Sequence, residues 1–297
     1  MTTRIGTGTV EANGVQITYE SFGEPDRPTV LLVMGFGTQM IAWPDGLCAD
    51  IADRGYRVVR FDNRDVGLST HLHDAPQPDL MAIMGGDPRS APYLLDDMAA
   101  DTVGLLDALG VDSAHVVGAS MGGMIAQVLA IRHPERVCSL VSVMSTPGPS
   151  AGAGRPEAMQ AILTPAPPEL EAYVERAVAV YRVIGSPGYP MDKPALRARA
   201  AESFRRSYDP AGVLRQAAAV LASPDRSEAL QSLAVPTHVI HGREDPLVTL
   251  SGGERTAELV PGATLDVMDG MGHDFPRALW SRFVDGIVAN AQRAAAT

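Results

Sequence analysis

A serine set between glycines, a histidine behind a late strand and an aspartate between them could act together on a carbonyl carbon. Ser120 stands in Val116-Val117-Gly118-Ala119-Ser120-Met121-Gly122-Gly123-Met124, where a short apolar strand runs into the serine and a helical pattern starts directly afterwards. In that context Gly-x-Ser-x-Gly predicts a nucleophile elbow, a strained turn that lifts the hydroxyl above the sheet edge. Side chains two residues to either side would collide there, so Gly118 and Gly122 have the sizes the turn needs. The competing reading is a phosphate-cradling turn, but neither G-x-G-x-x-G nor a Gly-Lys-Ser/Thr ending is present.

A serine hydroxyl needs a base, and the base needs an acid to orient it; on a strand–turn–helix elbow the chain order is serine, acid, histidine. Of the seven histidines, only His273 lies beyond the last-but-one predicted strand. It sits in a loop between Gly272 and Asp274, where an imidazole can swing over the elbow. The acid must then lie between Ser120 and His273, at the carboxyl end of a strand. Asp192, Asp209 and Asp225 fall in or at the edge of an inserted segment, Asp266 lies along a strand, and Asp269 is close in sequence to His273. Asp245 follows the strand ending at His241-Gly242. Its neighbour Glu244 competes, but Pro246 restricts Asp245 to extended backbone, which makes Asp245 the expected acid.

These residues need a scaffold of alternating strands and helices. Val15 to Phe22 alternates as a half-buried strand. Thr29 to Met34 is a continuous apolar run, as expected of a central parallel strand, and ends in Gly35-Phe36-Gly37, a turn able to aim a backbone N–H at developing negative charge. Tyr56 to Asp62 is the next strand. Asp62 and Arg64 beyond it read as charges pinning a loop rather than as chemistry. Residues 71–92 read as a surface loop near the site mouth. Helical spacing over 93–109 precedes the elbow strand, and helix 121–133 and strand 137–144 follow it. From Pro147 to Pro224 the alternation breaks into four helical patterns, predicting a helical cap over 147–224 inserted into a body of 1–146 and 225–297. Its charges nearly balance, so it offers no strong charge selection. Tyr173, Tyr181, Tyr189, Phe204 and Tyr208 give it material for a pocket roof. Strands resume at 235–242 and 264–268, and a helix over 276–293 closes the chain.

A chain of 297 residues, 45% hydrophobic and 20% charged, is ordinary for a globular α/β protein. Its formal charge of −11 argues against nucleic acid or an anionic membrane as partner. The start has no signal-peptide core, and no apolar run approaches the ~20 residues of a membrane span, so a cytoplasmic location is expected. Cys48 and Cys138 read as two buried thiols, neither disulfide nor metal site. No metal or cofactor is expected.

Gly-Ala-Ser-Met-Gly-Gly, His-Gly-Arg-Glu-Asp-Pro and Gly-His-Asp-Phe, in this order and spacing, resemble the α/β-hydrolase superfamily. Within it, Leu-Leu-Val-Met-Gly, Ala-Trp-Pro-Asp and Arg-Phe-Asp-Asn-Arg-Asp-Val-Gly-Leu-Ser-Thr resemble the aclacinomycin methylesterase group. The resemblance implies a mostly parallel sheet flanked by helices, a Ser120–Asp245–His273 triad, and an oxyanion hole of the Phe36 and Met121 backbone N–H groups. Many relatives have His-Gly where this chain has Met34-Gly35, a change that leaves a backbone donor intact. The expected function is a serine carboxylesterase acting on a small or medium hydrophobic ester. A lactonase, C–C bond hydrolase, thioesterase or cofactor-free perhydrolase would use the same triad, and a receptor-like protein could use the pocket without turnover.

Overall fold

A computed structural model describes residues 4–294. Eight strands form one sheet: β1 (Arg4–Ala12), β2 (Val15–Phe22), β3 (Thr29–Val33), β4 (Arg57–Phe61), β5 (Ala114–Ala119), β6 (Val137–Val143), β7 (Thr237–Gly242) and β8 (Thr264–Met268). Their spatial order is β1-β2-β4-β3-β5-β6-β7-β8. The β1–β2 and β2–β4 pairs are antiparallel, and every pair from β4 to β8 is parallel. β1 has no counterpart among the elements expected from sequence. Its Gly6-Thr7-Gly8-Thr9 stretch carries little apolar signal, although it alternates in burial against β2.

Helices cover both faces, which is why the inner strands read as unbroken apolar runs. All of β3 is buried. Leu31, Val33 and Val116 pack toward α3 (Leu95–Ala108) and α4 (Met121–Arg132), beside Leu105, Ile125 and Leu129. Their neighbours Val30, Leu32 and Val117 pack toward α1 (Asp45–Ala52) and the closing helix, beside Leu47, Ile51 and Phe283. Helix α1 begins only after Pro44, which stands at its N-cap, and a 3-10 turn at Met40–Ala42 precedes it. The closing helix likewise splits into a 3-10 turn, Arg277–Leu279, and a helix from Trp280. The 71–92 loop contains one short helix, α2 (Leu80–Met84), capped by the Asp79 carboxylate.

Between β6 and β7 lie α5 (Pro156–Leu163), α6 (Leu170–Ile184), α7 (Lys193–Arg206) and α8 (Pro210–Ala222), four helices where four helical patterns are expected. This insertion leaves and rejoins the body at one place, where the Arg226 N–H donates to the Pro147 carbonyl at 3.0 Å. Three further helices, α9 (Ser227–Leu230), α10 (Leu250–Leu259) and α11 (Trp280–Ala294), complete the body. Cys48 is buried, and burial pushes its thiol up to about 12. Cys138 is only half-buried, because it alternates toward the other side of its strand and donates to Ser113 Oγ at 3.1 Å. Among the described residues no helix is long and apolar enough to cross a membrane.

Candidate active site

The chain runs from β3 outward to β4 on one side and then returns to β5 on the other. Loops at the carboxyl ends of β3 and β5 therefore diverge, opening the crevice where sheets of this kind bind ligands. Ser120 stands in it, between β5 and α4, with φ 56° and ψ −122°. That left-handed φ is strained for serine. The turn is held by the Ser120 N–H donating to Val143 O at 2.9 Å and by Ser145 Oγ donating to Ser120 O at 2.8 Å. A Cβ on Gly118 would lie 2.1 Å from Gly122 O, and one on Gly122 would lie 2.1 Å from Val33 O. Both glycines are thus required by the close approach of helix and strands.

Phe36 and Met121 line the same cavity as Ser120. Met121 is the first residue of α4, where helical N–H groups lack intrahelical acceptors and the helix dipole is positive. In the Gly35-Phe36-Gly37 turn, the Gly37 N–H is taken by Gln216 Oε1 at 2.8 Å. Neither Phe36 nor Met121 gives its N–H to a protein acceptor among the described residues. Gln216 lies on α8, fully buried, and its amide nitrogen also donates to Arg64 O at 2.8 Å. One cap-side glutamine thus fixes the turn after β3 and the loop after β4.

His273, in the loop after β8, lines the same cavity as Ser120. Its Nδ1 lies 2.7 Å from Asp245 Oδ2, and both side chains are almost wholly buried. The other Asp245 oxygen accepts the N–H groups of Leu247 at 2.8 Å and Val248 at 3.0 Å. The carboxylate is therefore fixed at both oxygens and turned toward the imidazole. Glu244 is turned elsewhere, accepting the Gly270 N–H at 2.6 Å. Behind Asp245, buried His241 gives Nε2–H to Val248 O at 2.8 Å, and burial holds its pKa below the usual histidine range. An imidazole with Asp on Nδ1 is held in the tautomer whose Nε2 can accept a proton.

Asp62 and Arg64 are buried and bonded as loop pins. Asp62 accepts from the N–H of Met40 at 2.7 Å and of Leu68 at 2.9 Å and pairs with Arg206. Arg64 Nε donates to Asp101 at 2.6 Å. Sequence reasoning passed over the next residue. Asp65, fully buried, receives a two-pronged Arg215 from α8 at 2.7 and 2.9 Å and the Tyr93 hydroxyl at 2.8 Å. No pattern of its sequence neighbours marks it, and only the folded backbone, with φ 68° at Asp65, sets it apart.

Body and insertion enclose a cavity of about 1500 Å³ above Ser120. Tyr173, Tyr181, Tyr189 and Tyr208 line it. Phe204 does not, being stacked behind Tyr173 and Tyr208 at 5.3 and 5.4 Å between ring centroids. At one edge His71, His73 and Asp209 bring three donor atoms within 4.8 Å of one another. The Asp209 oxygen concerned already meets His71 Nδ1 at 2.7 Å and Arg215 at 3.3 Å, so the guanidinium opposes a cation there.

The family model described as "alpha/beta hydrolase fold" matches residues 28–276. Curated relatives include "Rhodomycin D methylesterase DauP" of Streptomyces sp. (strain C5), 27% identical with 93% of this chain and 94% of that protein covered. They also include "3-oxoadipate enol-lactonase 2" of Acinetobacter baylyi, 28% identical with 88% of each covered. Among solved structures, the enol-lactonase of Burkholderia xenovorans LB400 matches with a TM-score of 0.75 at 24% identity, covering 96% of this chain and all of that one. With the elbow, the sheet order and this match in agreement, the chain belongs to the alpha/beta hydrolase fold family and is a hydrolase.

Proposed function

We propose that the protein is a serine carboxylesterase with Ser120 as nucleophile, His273 as general base and Asp245 as orienting acid. The observation that carries this reading is the 2.7 Å contact from Asp245 to His273 Nδ1, within a cavity shared with a serine in strained backbone. Ser120 Oγ attacks the ester carbonyl while His273 Nε2 takes its proton. The resulting oxyanion is met by the Phe36 and Met121 N–H groups, a contribution on the order of 3 kcal/mol per donor. Collapse expels the alcohol, which takes the proton from His273, and leaves an acyl-serine. Water, deprotonated by the same imidazole, then releases the acid.

The insertion acts as a cap that selects substrate. The cavity exceeds the roughly 300–1,000 Å³ common for small-molecule sites, and most of its lining is apolar. This supports an ester of a bulky hydrophobic acid, larger than the small or medium substrate expected from sequence. The likeness to a rhodomycin D methylesterase supports a small alcohol, such as methanol, as leaving group. A lactone is the second reading, favoured by the enol-lactonase relative. The test sets a short chromogenic ester beside methyl esters of bulky acids and a lactone panel. Ser120→Ala and His273→Ala should each lose at least roughly 10⁴-fold in kcat, with the double variant scarcely worse. Full turnover by Ser120→Ala would remove Ser120 as nucleophile, and no turnover of any of these substrates by the wild type would leave only a binding role for the pocket.

A further inference from the structure

The loop that carries His273 is not held by the body alone. Three consecutive residues of it are bonded to the connector between α6 and α7. The His273 N–H donates to Ile184 O at 2.7 Å, and the Gly272 N–H donates to Ser186 Oγ at 2.9 Å. Ser186 donates in turn to Asp274 Oδ1, from its N–H at 3.1 Å and from its hydroxyl. Farther along, the Gly188 N–H reaches Gly270 O at 2.9 Å and the Tyr189 hydroxyl reaches Asp269 O at 3.2 Å.

The fit is also steric. A Cβ on Gly272 would lie 2.5 Å from Gly185 O, and one on Gly188 would lie 2.5 Å from Gly270 Cα. Two backbones approach so closely that neither glycine can be replaced without moving the other strand of chain. The contacts run over residues 184–189 and 269–274, an ordered pairing between segments about as far apart in sequence as Ser186 and Asp274.

We propose that this connector is part of the apparatus that positions the base, with Ser186 as its central positioning residue. Asp245 fixes the His273 ring through Nδ1, but a ring held at one atom still depends on where its Cα sits. That position is set by the bonds to Ile184 and Ser186. Ser186 Oγ serves as acceptor for residue 272 and donor to residue 274, so one hydroxyl bridges the two neighbours of the histidine. The burial that pushes the Asp274 carboxyl above the usual range is partly offset by the two Ser186 bonds. Losing them removes the reason for Asp274 to stay folded against the connector. A further consequence is that the α6–α7 end of the insertion cannot lift without carrying His273 away from Ser120.

This inference rests on the serine-hydrolase reading, and the experiment separates the two. Wild type, Ser120→Ala, Ser186→Ala and Ser186→Thr are assayed with p-nitrophenyl acetate, and the rate of Ser120 modification by a fluorophosphonate is measured in parallel. Ser186→Ala should lower kcat and the modification rate by roughly tenfold or more, with KM within about twofold. Ser186→Thr, which keeps the hydroxyl, should restore most of both. If Ser186→Ala folds too poorly to assay, Asp274→Ala, which removes the acceptor of both Ser186 bonds, should show the same fall in kcat at constant KM. Wild-type kcat and modification rate in folded Ser186→Ala, or in folded Asp274→Ala, would overturn the positioning role while leaving the serine-hydrolase reading intact. Activity persisting in Ser120→Ala would overturn the serine-hydrolase reading itself.

Discussion

The inner and outer halves of the insertion are attached to the molecule by different physics. The inner half, α8 with the carboxyl end of α7, is joined to the loops after β3 and β4 by buried charged and amide groups: Arg206 on Asp62, Arg215 on Asp65, and Gln216 on Gly37 and Arg64. The outer half, α5 with α6, presents Met159, Leu163 and Val183 exposed. Its ion pairs, from Arg197 to Glu171 and Glu175, lie at the surface. Exposed pairs contribute about 0–1 kcal/mol, whereas breaking one partner of a buried pair costs about 3–5 kcal/mol. One stretch of sequence thus contains a part that holds the Gly35–Gly37 turn and a part that, outside the connector at 184–189, is less constrained by the body.

The largest test of that contrast is Arg215→Ala. It leaves the Asp65 carboxylate buried with only the Tyr93 hydroxyl and one backbone N–H, so unfolding free energy should fall by about 3–5 kcal/mol. Leu163→Ala, on the outer half, should stay within about 0.5 kcal/mol of wild type. Denaturant melts of the two variants decide it, and equal losses would erase the distinction.

Gln216→Leu comes next. It frees the Gly37 N–H and loosens the turn that presents Phe36, without touching a substrate-facing ring. We expect kcat to fall by roughly tenfold on short and bulky esters alike, since the loss is at the oxyanion. A defect confined to bulky esters would move Gln216 into the outer group.

The cavity tyrosines should behave in the opposite way. Alanine at Tyr173, Tyr181 or Tyr208 should change the ratio of kcat/KM for bulky and short esters by roughly tenfold, a hydrophobic contact's worth. The short-ester rate itself should hardly move. Phe204→Ala should lower stability and leave that ratio alone, because its ring stacks behind the lining. A ratio change at Phe204 equal to that at Tyr173 would break the assignment.

The smallest effect lies in the body and should be blind to both halves. Burial lowers the folded-state pKa of His241. Below about pH 6.5 the unfolded chain binds a proton there that the folded chain refuses. Stability should therefore fall as pH drops from that point toward the folded pKa, by at most about 1.4 kcal/mol per pH unit. His241→Gln should flatten that limb of the melting curve, and an unchanged slope would show that other groups control it.

The elbow, Asp245 and His273 were legible in the sequence because each depends on its own neighbours: glycines that a turn demands, a proline that fixes a backbone, a strand end. The strands from β2 onward and the four inserted helices followed from hydrophobic period, whereas the order of the strands in the sheet did not. What sequence did not carry are pairings between distant segments. Asp65 meets Arg215 across 150 residues, and the Ser186 bridge to Asp274 spans 88. Neither leaves a local pattern, since a buried ion pair and a backbone clasp are specified only once the chain is folded. β1 escaped for the opposite reason: its residues are small and half exposed, so its alternation is weak. Cys138 was misjudged by reading an apolar strand as buried on both sides.

The narrow neck of the insertion, where Arg226 donates from its backbone to Pro147 O and from its guanidinium to Thr146 O, has a bearing on how such molecules diversify. Where a chain departs and returns through a gap that narrow, the stretch between can be lengthened, shortened or exchanged with little loop-closure entropy and no parting of β6 from β7. A grafted stretch would inherit a finished sheet, elbow and acid. It would not inherit a seated His273 unless it brought its own carbonyl and hydroxyl to the places now held by Ile184 and Ser186, nor a fixed turn after β3 unless it replaced Gln216, so an exchange that keeps these two contacts can change the outer helices most freely.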